Sequence, residues 1–195
     1  MITKLCIAWD LDDCLQDLMC PWIDYWNFHH NSSFTYNNIK TWDIHKYLNC
    51  DISEFWKYMD NFKLEGNYSN LKSNREVLQW FKNYGDYFHH IVITATPLNT
   101  AHISAEWTFR NYGRWIRDFV CIPSYRNGDG ENCFDKSKKD YFLRTNIADI
   151  FIDDNPLSCE DVIQETEMKV FCVKKPWNNG VLIKDILNEL TGYIK

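Results

Sequence analysis

Short apolar runs alternate with polar, helix-like segments along most of this chain. Leu5-Cys6-Ile7-Ala8-Trp9 forms the heart of the first run, a predicted strand from Lys4 to Asp10. Four more follow: Phe88 to Thr94, Phe119 to Ile122 (stopped by Pro123), Asp149 to Asp153 and Met168 to Val173. Each is short and rich in Ile, Val or Phe, the pattern of strands buried on both faces. Helical segments are predicted between and after them: Thr100 to Tyr112, with Gly113 as its C-cap, then Lys138 to Arg144, Ser158 to Glu165 and Ile183 to Leu190. This alternation predicts an α/β fold, a doubly wound, Rossmann-like parallel sheet with helices on both faces.

One stretch breaks the rhythm. From about Asp17 to Tyr84 there is no strong strand signal, and Asp51-Ile-Ser-Glu54 and Ser73-Asn-Arg-Glu76 read as capping boxes that open helices. Aromatics crowd the region (Trp22, Tyr25, Trp26, Phe28, Trp42, Tyr47, Phe55, Trp56 and Tyr58 among them), and most are expected to form its core. The expected organisation is a core of residues 1–16 and 85–195, with a helical cap, 17–84, inserted between the first two core strands.

Composition narrows the setting. A hydrophobic share of 45% over 195 residues supports one packed core with a modest insertion rather than disorder. The net charge of −6 disfavours long nucleic acid, whose binding rests on Lys and Arg at phosphates. Small anionic substrates remain compatible if a metal and a few lysines share one cleft. The eight cysteines include no Cys-x-x-Cys pair, which argues against zinc. No apolar run approaches the ~20 residues that span a bilayer. An acidic pair as early as Asp10 and Asp12 does not read as a signal peptide. The expectation is a cytoplasmic protein with free thiols and no membrane contact.

The candidate chemistry sits where two strands stop. Asp10-Leu11-Asp12 ends the first, and Asp153-Asp154 ends the fourth. Carboxylates at strand tips lie in the crevice where α/β proteins bind ligands. If the strands are neighbours, the acids converge and repel, and a hard divalent cation such as Mg²⁺ removes the repulsion. One carboxylate can then attack phosphorus, while another, two residues on, moves the proton. Thr94, backed by Thr96, and the lysines 136, 138 and 139 offer the donors and positive charge that phosphoryl oxygens need.

These parts, in this order, resemble the haloacid dehalogenase (HAD) superfamily of phosphohydrolases. Thr94-Ala-Thr96-Pro97, Asp149-Ile-Phe-Ile-Asp-Asp-Asn-Pro156 and Lys175-Pro-Trp-Asn178 are similar to its 5′(3′)-deoxyribonucleotidase branch, and Trp42-Asp-Ile-His-Lys-Tyr47 to bacterial members of that branch. The resemblance implies that Asp10 is the nucleophile and Asp12 the general acid/base. It implies Mg²⁺ held by Asp10, the Asp12 carbonyl and Asp153, with Asp154 assisting. Thr94 and a lysine would hold the phosphoryl group. Two lysines remain open: Lys136 lies in Asp-Lys-Ser, similar to the family's Asp-Lys-Thr, whereas Lys139 has the spacing to Asp153 seen elsewhere in the superfamily. The implied substrate is a nucleoside monophosphate. The alternatives are another small phosphate ester, a polynucleotide 3′-phosphate end, or a HAD-fold binding protein without turnover. Asp13 stands where the family has Gly, and is expected to be a turn or cap residue. His29-His30 and His89-His90 point apart as adjacent residues and are not expected to chelate a metal. Trp42 and His45 are candidate substrate contacts within the insertion.

Overall fold

The structure is a computed structural model that describes residues 4–124 and 133–194. In chain order the elements are β1 (Cys6–Trp9), α1 (Met19–His30), α2 (Ile44–Leu48), α3 (Ile52–Leu64), α4 (Arg75–Tyr84), β2 (His89–Ala95), α5 (Leu98–Tyr112) and β3 (Ile116–Ile122), followed by α6 (Lys138–Thr145), β4 (Ile150–Asp153), α7 (Pro156–Glu165), β5 (Lys169–Cys172) and α8 (Ile183–Gly192). The five strands form one parallel sheet in the order β3-β2-β1-β4-β5. The chain therefore leaves β1 in one direction and returns to its other side, which opens a crevice at the carboxyl ends of the central strands. Among the described residues, no helix is long and apolar enough to cross a membrane.

Side-chain alternation builds two apolar layers. On one face, Ile7 and Trp9 of β1 belong to one apolar cluster with Phe81, Trp107 and Leu187 that continues into the insertion through Trp22 and Phe55. Cys6 and Ala8 pack with Ile91, Phe142, Phe151 and Val162 on the other. The expectation that every strand is buried on both faces holds for β1 and β4 but not for the edges. In β3, Arg117 and Asp118 are exposed, and Lys169 of β5 is exposed. An edge strand has one neighbour, so its polar start carries no apolar signal, and β3 begins three residues earlier than Phe119.

Helix starts also correct the sequence reading. The cap of α4 is Asn74, not Ser73: its side chain accepts from the Glu76 and Val77 amides at 3.1 and 3.2 Å. Asp51 precedes α3 without a side-chain cap bond. Gly113 follows α5 as expected, but in right-handed helical rather than left-handed geometry (φ −60°).

The segment between β1 and β2 contains four α-helices, with short 3₁₀ turns among them, and no strand. Its two connections to the sheet lie side by side. Gln16 and Ser73 form an antiparallel bridge, and the Asn74 amide donates to the Leu15 carbonyl at 2.8 Å. Beyond them α4 returns to the sheet, with Trp80 and Phe81 against Trp9 and the Trp80 indole donating to Thr191 of α8. Thus α4, although inside 17–84, packs on the core layer, while α1 to α3 carry the rest of the insertion.

Candidate active site

The parallel register delivers the acids to one place. Trp9 pairs with Ile152, and the Asp10 amide donates to the Ile152 carbonyl at 2.7 Å, so Asp10 emerges beside Asp153. Asp10, Asp12, Asp13, Asp153 and Asp154 all line one cavity of about 370 Å³. Thr94, at the end of β2, lines it too; Thr96 is buried and hydrogen-bonds Lys63 instead. The roof is apolar and comes from the insertion: Ile44, Phe55, Trp56 and Met59, with Trp42 and His45 beside them. Trp177 completes the wall and meets Trp42 edge-on at 6.1 Å.

Of the lysines at 136, 138 and 139, the one that reaches the acids is neither Lys136 nor Lys139. Lys138 is buried, and its ammonium donates to Asp10 Oδ1 and, at 2.8 Å, to Asp153 Oδ2. The local reason is helix geometry. Ser137 caps α6 by accepting from the Asp140 amide at 3.1 Å, so Lys138 is the first helical residue and enters beneath the strand tips. Lys136 is exposed before the cap and Lys139 is half-buried. The Ser137-x-x-Asp140 spacing was the sequence signal that could have found Lys138.

The other acids have distinct surroundings. Asp153 also accepts from the Asn155 amide at 3.0 Å. The Asp154 carbonyl accepts from Asn178 at 2.7 Å and from the Trp177 indole at 3.4 Å, which ties the acid turn to the Lys175–Asn178 loop. Asp13 adopts the left-handed region (φ 60°), where Asp is tolerated and Gly is favoured. Its carboxylate accepts from the Met19 amide, at the start of α1, and faces Lys175 at 4.0 Å. It is thus both a turn and a cap residue. Asp12 accepts from Gln16 at 2.6 Å, Tyr68 at 2.5 Å and Lys63 at 3.3 Å. Gln16, Lys63, Tyr68 and Lys175 carry no role in the sequence analysis: Gln16 reaches Asp12 from four residues on, and the other three meet the site only through tertiary packing.

Burial makes this cluster electrostatically costly. It raises the Asp10 pKa to about 8; Lys138 opposes the shift, and Asp153 and Asp12 add to it. It raises Asp13 to about 7 against the pull of Lys175, and lifts Asp154 well above the carboxylate range, with Asp13, Asp153 and Asp10 adding repulsion. Burial works against the Lys138 charge, but Asp10 and Asp153 outweigh it and push its pKa up. Four buried carboxylates (Asp10, Asp13, Asp153, Asp154) face two lysines, Lys138 and Lys175. Fully ionised, the set carries two uncompensated negative charges. A hard divalent cation matches that deficit and that donor chemistry. Donor atoms of Asp10, Asp154 and Cys14 lie within 4.8 Å of one another, and burial with the neighbouring acids holds the Cys14 thiol protonated, which leaves carboxylate oxygen as the ligand type. The histidine pairs lie outside this cluster: His30 stacks on Trp26 at 3.8 Å, and His90 is buried beside Trp9.

A family model described as 5′ nucleotidase, deoxy (pyrimidine), cytosolic type C protein matches residues 4–184. The chain belongs to this family. It is accordingly a phosphatase of the HAD type. A search of curated protein sequences gave no significant match. Solved structures share the fold. A HAD-like hydrolase from Streptococcus pneumoniae superposes with a TM-score of 0.66 at 12% identity, covering 100% of both chains. A protein described as a predicted phosphatase from Clostridium acetobutylicum gives 0.65 at 15% identity, over 97% of this chain and 99% of the other. A Bacillus subtilis protein classed as a HAD hydrolase, bound to magnesium, gives 0.57 at 14% identity over 99% of each chain.

Proposed function

We propose that this protein is a Mg²⁺-dependent phosphomonoesterase that hydrolyses nucleoside monophosphates through a phosphoaspartate on Asp10. The observation that carries the reading is the shared cavity, with Asp10, Asp12, Thr94 and Lys138 on its floor and an aromatic roof above. The cavity volume of about 370 Å³ falls within the ~300–1,000 Å³ of small-molecule sites.

Mg²⁺ would be held by Asp10, the Asp12 carbonyl and Asp153, with Asp154 assisting, and bound there it would supply Lewis-acid charge to the phosphoryl oxygens. Asp10 attacks phosphorus with a carboxylate oxygen, forming the acyl phosphate as the ester P–O bond breaks. Lys138 balances negative charge at Asp10, and the Thr94 hydroxyl orients the phosphoryl group. Asp12 gives a proton to the departing oxygen. It then takes one from the water that attacks phosphorus, which releases inorganic phosphate and restores Asp10. The apolar roof excludes bulk water and offers ring faces to a nucleobase.

Phosphate release tests this reading, measured on thymidine 5′-monophosphate, glucose 6-phosphate and a 3′-phosphorylated oligonucleotide, with Mg²⁺ or with chelator. The expected result is turnover of the nucleotide that requires Mg²⁺ and vanishes in a folded Asp10→Asn variant. Preference for either other substrate, or activity retained by Asp10→Asn, would overturn it.

A further inference from the structure

The Asp12 carboxylate is gripped mainly by residues of the insertion. Its Oδ1 accepts from Gln16 at 2.6 Å and Tyr68 at 2.5 Å, and its Oδ2 accepts from Lys63 at 3.3 Å. Lys63 lies near the end of α3 and Tyr68 in the short 3₁₀ turn that follows it. Neither is a surface residue that happens to reach inward: Lys63 is 3% exposed and Tyr68 fully buried.

Lys63 also spans the two parts of the molecule. Its ammonium donates to Thr96, after β2, and to Ser104 of α5, both at 3.2 Å, and lies 4.5 Å over the Tyr68 ring. An apolar side chain would fill this interior without the desolvation that a buried ammonium carries. Its three acceptors converge instead, with Asp12 as the charged one. Burial beside Asp12 keeps the Tyr68 hydroxyl protonated, so it remains a donor to that carboxylate.

We infer that Lys63 and Tyr68 are positioning residues for the reaction: together they fix the Asp12 carboxylate for proton transfer, so that the insertion itself completes the acid/base. Gln16 alone leaves Oδ2 unrestrained. A proton donor must sit within hydrogen-bond reach of the leaving oxygen, and a rotamer held from both oxygens meets that need without reordering during reaction. Because both donors arrive with the insertion, displacement of α3 from the strand tips removes them together and leaves a bound phosphate ester without an aligned acid. The inference rests on the assignment of Asp12 as general acid.

The test is the leaving-group dependence of single-turnover leaving-group release in full-length protein, the step that forms the phosphoaspartate and precedes the water activation that both substrates share. Thymidine 5′-monophosphate expels an alkoxide that needs protonation; p-nitrophenyl phosphate expels a stable phenolate that does not. Tyr68→Phe, which removes one hydroxyl and keeps the ring, is the primary variant, and Lys63→Met the second. For both, the single-turnover rate of thymidine release is expected to fall about tenfold or more, while the rate of p-nitrophenolate release changes less than about twofold. A general loss of structure would lower both rates alike. Equal losses on the two substrates in Tyr68→Phe, or no loss on either, would overturn the inference. Asp12→Asn, measured in parallel, separates the two levels. If it is leaving-group-dependent and Tyr68→Phe is not, the positioning role falls alone. If Asp12→Asn is itself insensitive to the leaving group, the general-acid assignment falls and takes the inference with it.

Discussion

His90 offers a sharp test of how this core works, because its environment suits a single protonation state. The residue belongs to β2, is fully buried, and sits between two fixed partners. The Trp9 indole N–H donates to its Nδ1 at 3.1 Å, and its Nε2 donates to the Gly85 carbonyl at 2.9 Å. Only the neutral imidazole can accept at Nδ1, and protonation there would set two donors against each other. Burial is the largest influence; it lowers the His90 pKa from 6.5 to about 4, although the bond to Gly85 pulls the other way. The unfolded chain therefore binds this proton near pH 6.5 and the folded chain near pH 4. Within that window the unfolded state holds more protons, so stability falls as pH falls. At 1.36 kcal/mol per unit, the shift corresponds to about 3 kcal/mol lost between pH 7 and pH 4. The buried acids Asp10 and Asp13 act in the opposite sense: their raised pKa values favour the folded state at low pH, so the total pH curve mixes the two. His90→Gln isolates the histidine. Gln keeps an acceptor for Trp9 and a donor for Gly85 but does not titrate. Urea unfolding of both proteins from pH 7 to pH 4 is expected to show the original protein losing about 3 kcal/mol relative to the variant. Parallel stability curves across that range would refute the reasoning.

Two further outcomes follow from the site and its supports. Mg²⁺ at about 100 times its Kd should stabilise the folded protein by about 2.7 kcal/mol, seen as a rise in Tm that chelator reverses; an undiminished rise in Asp154→Asn would remove that residue from the ligand set. Asn74→Ala should lower stability by about 1 kcal/mol by removing the cap of α4, and a Ser73→Ala change that cost as much would contradict the capping assignment.

Much of the fold and part of the site could be read along the chain, for a physical reason. Apolar runs such as Leu5–Trp9 and Ile150–Ile152 make strands wherever they fold, and the acids that end them fall at the strand tips by covalent order. The sequence therefore placed Asp10, Asp12, Thr94, Asp153 and Asp154, and the strand–helix alternation placed the sheet. It did not resolve the lysine, because 136, 138 and 139 share one composition; the cap at Ser137, acting through the first turn of α6, sends Lys138 inward. Edge strand β3 was read short because Arg117 and Asp118 face solvent. Two of the three partners of Asp12 were beyond any local pattern. Lys63 and Tyr68 stand 51 and 56 residues away in sequence, and their own segments read as ordinary helix and turn. What the sequence determined by itself was the chemistry carried on strand ends, since backbone order and side-chain period suffice for that. What only the tertiary structure decided was which charges are buried together and which donors face them, since burial and contact belong to the packed chain and not to any stretch of it.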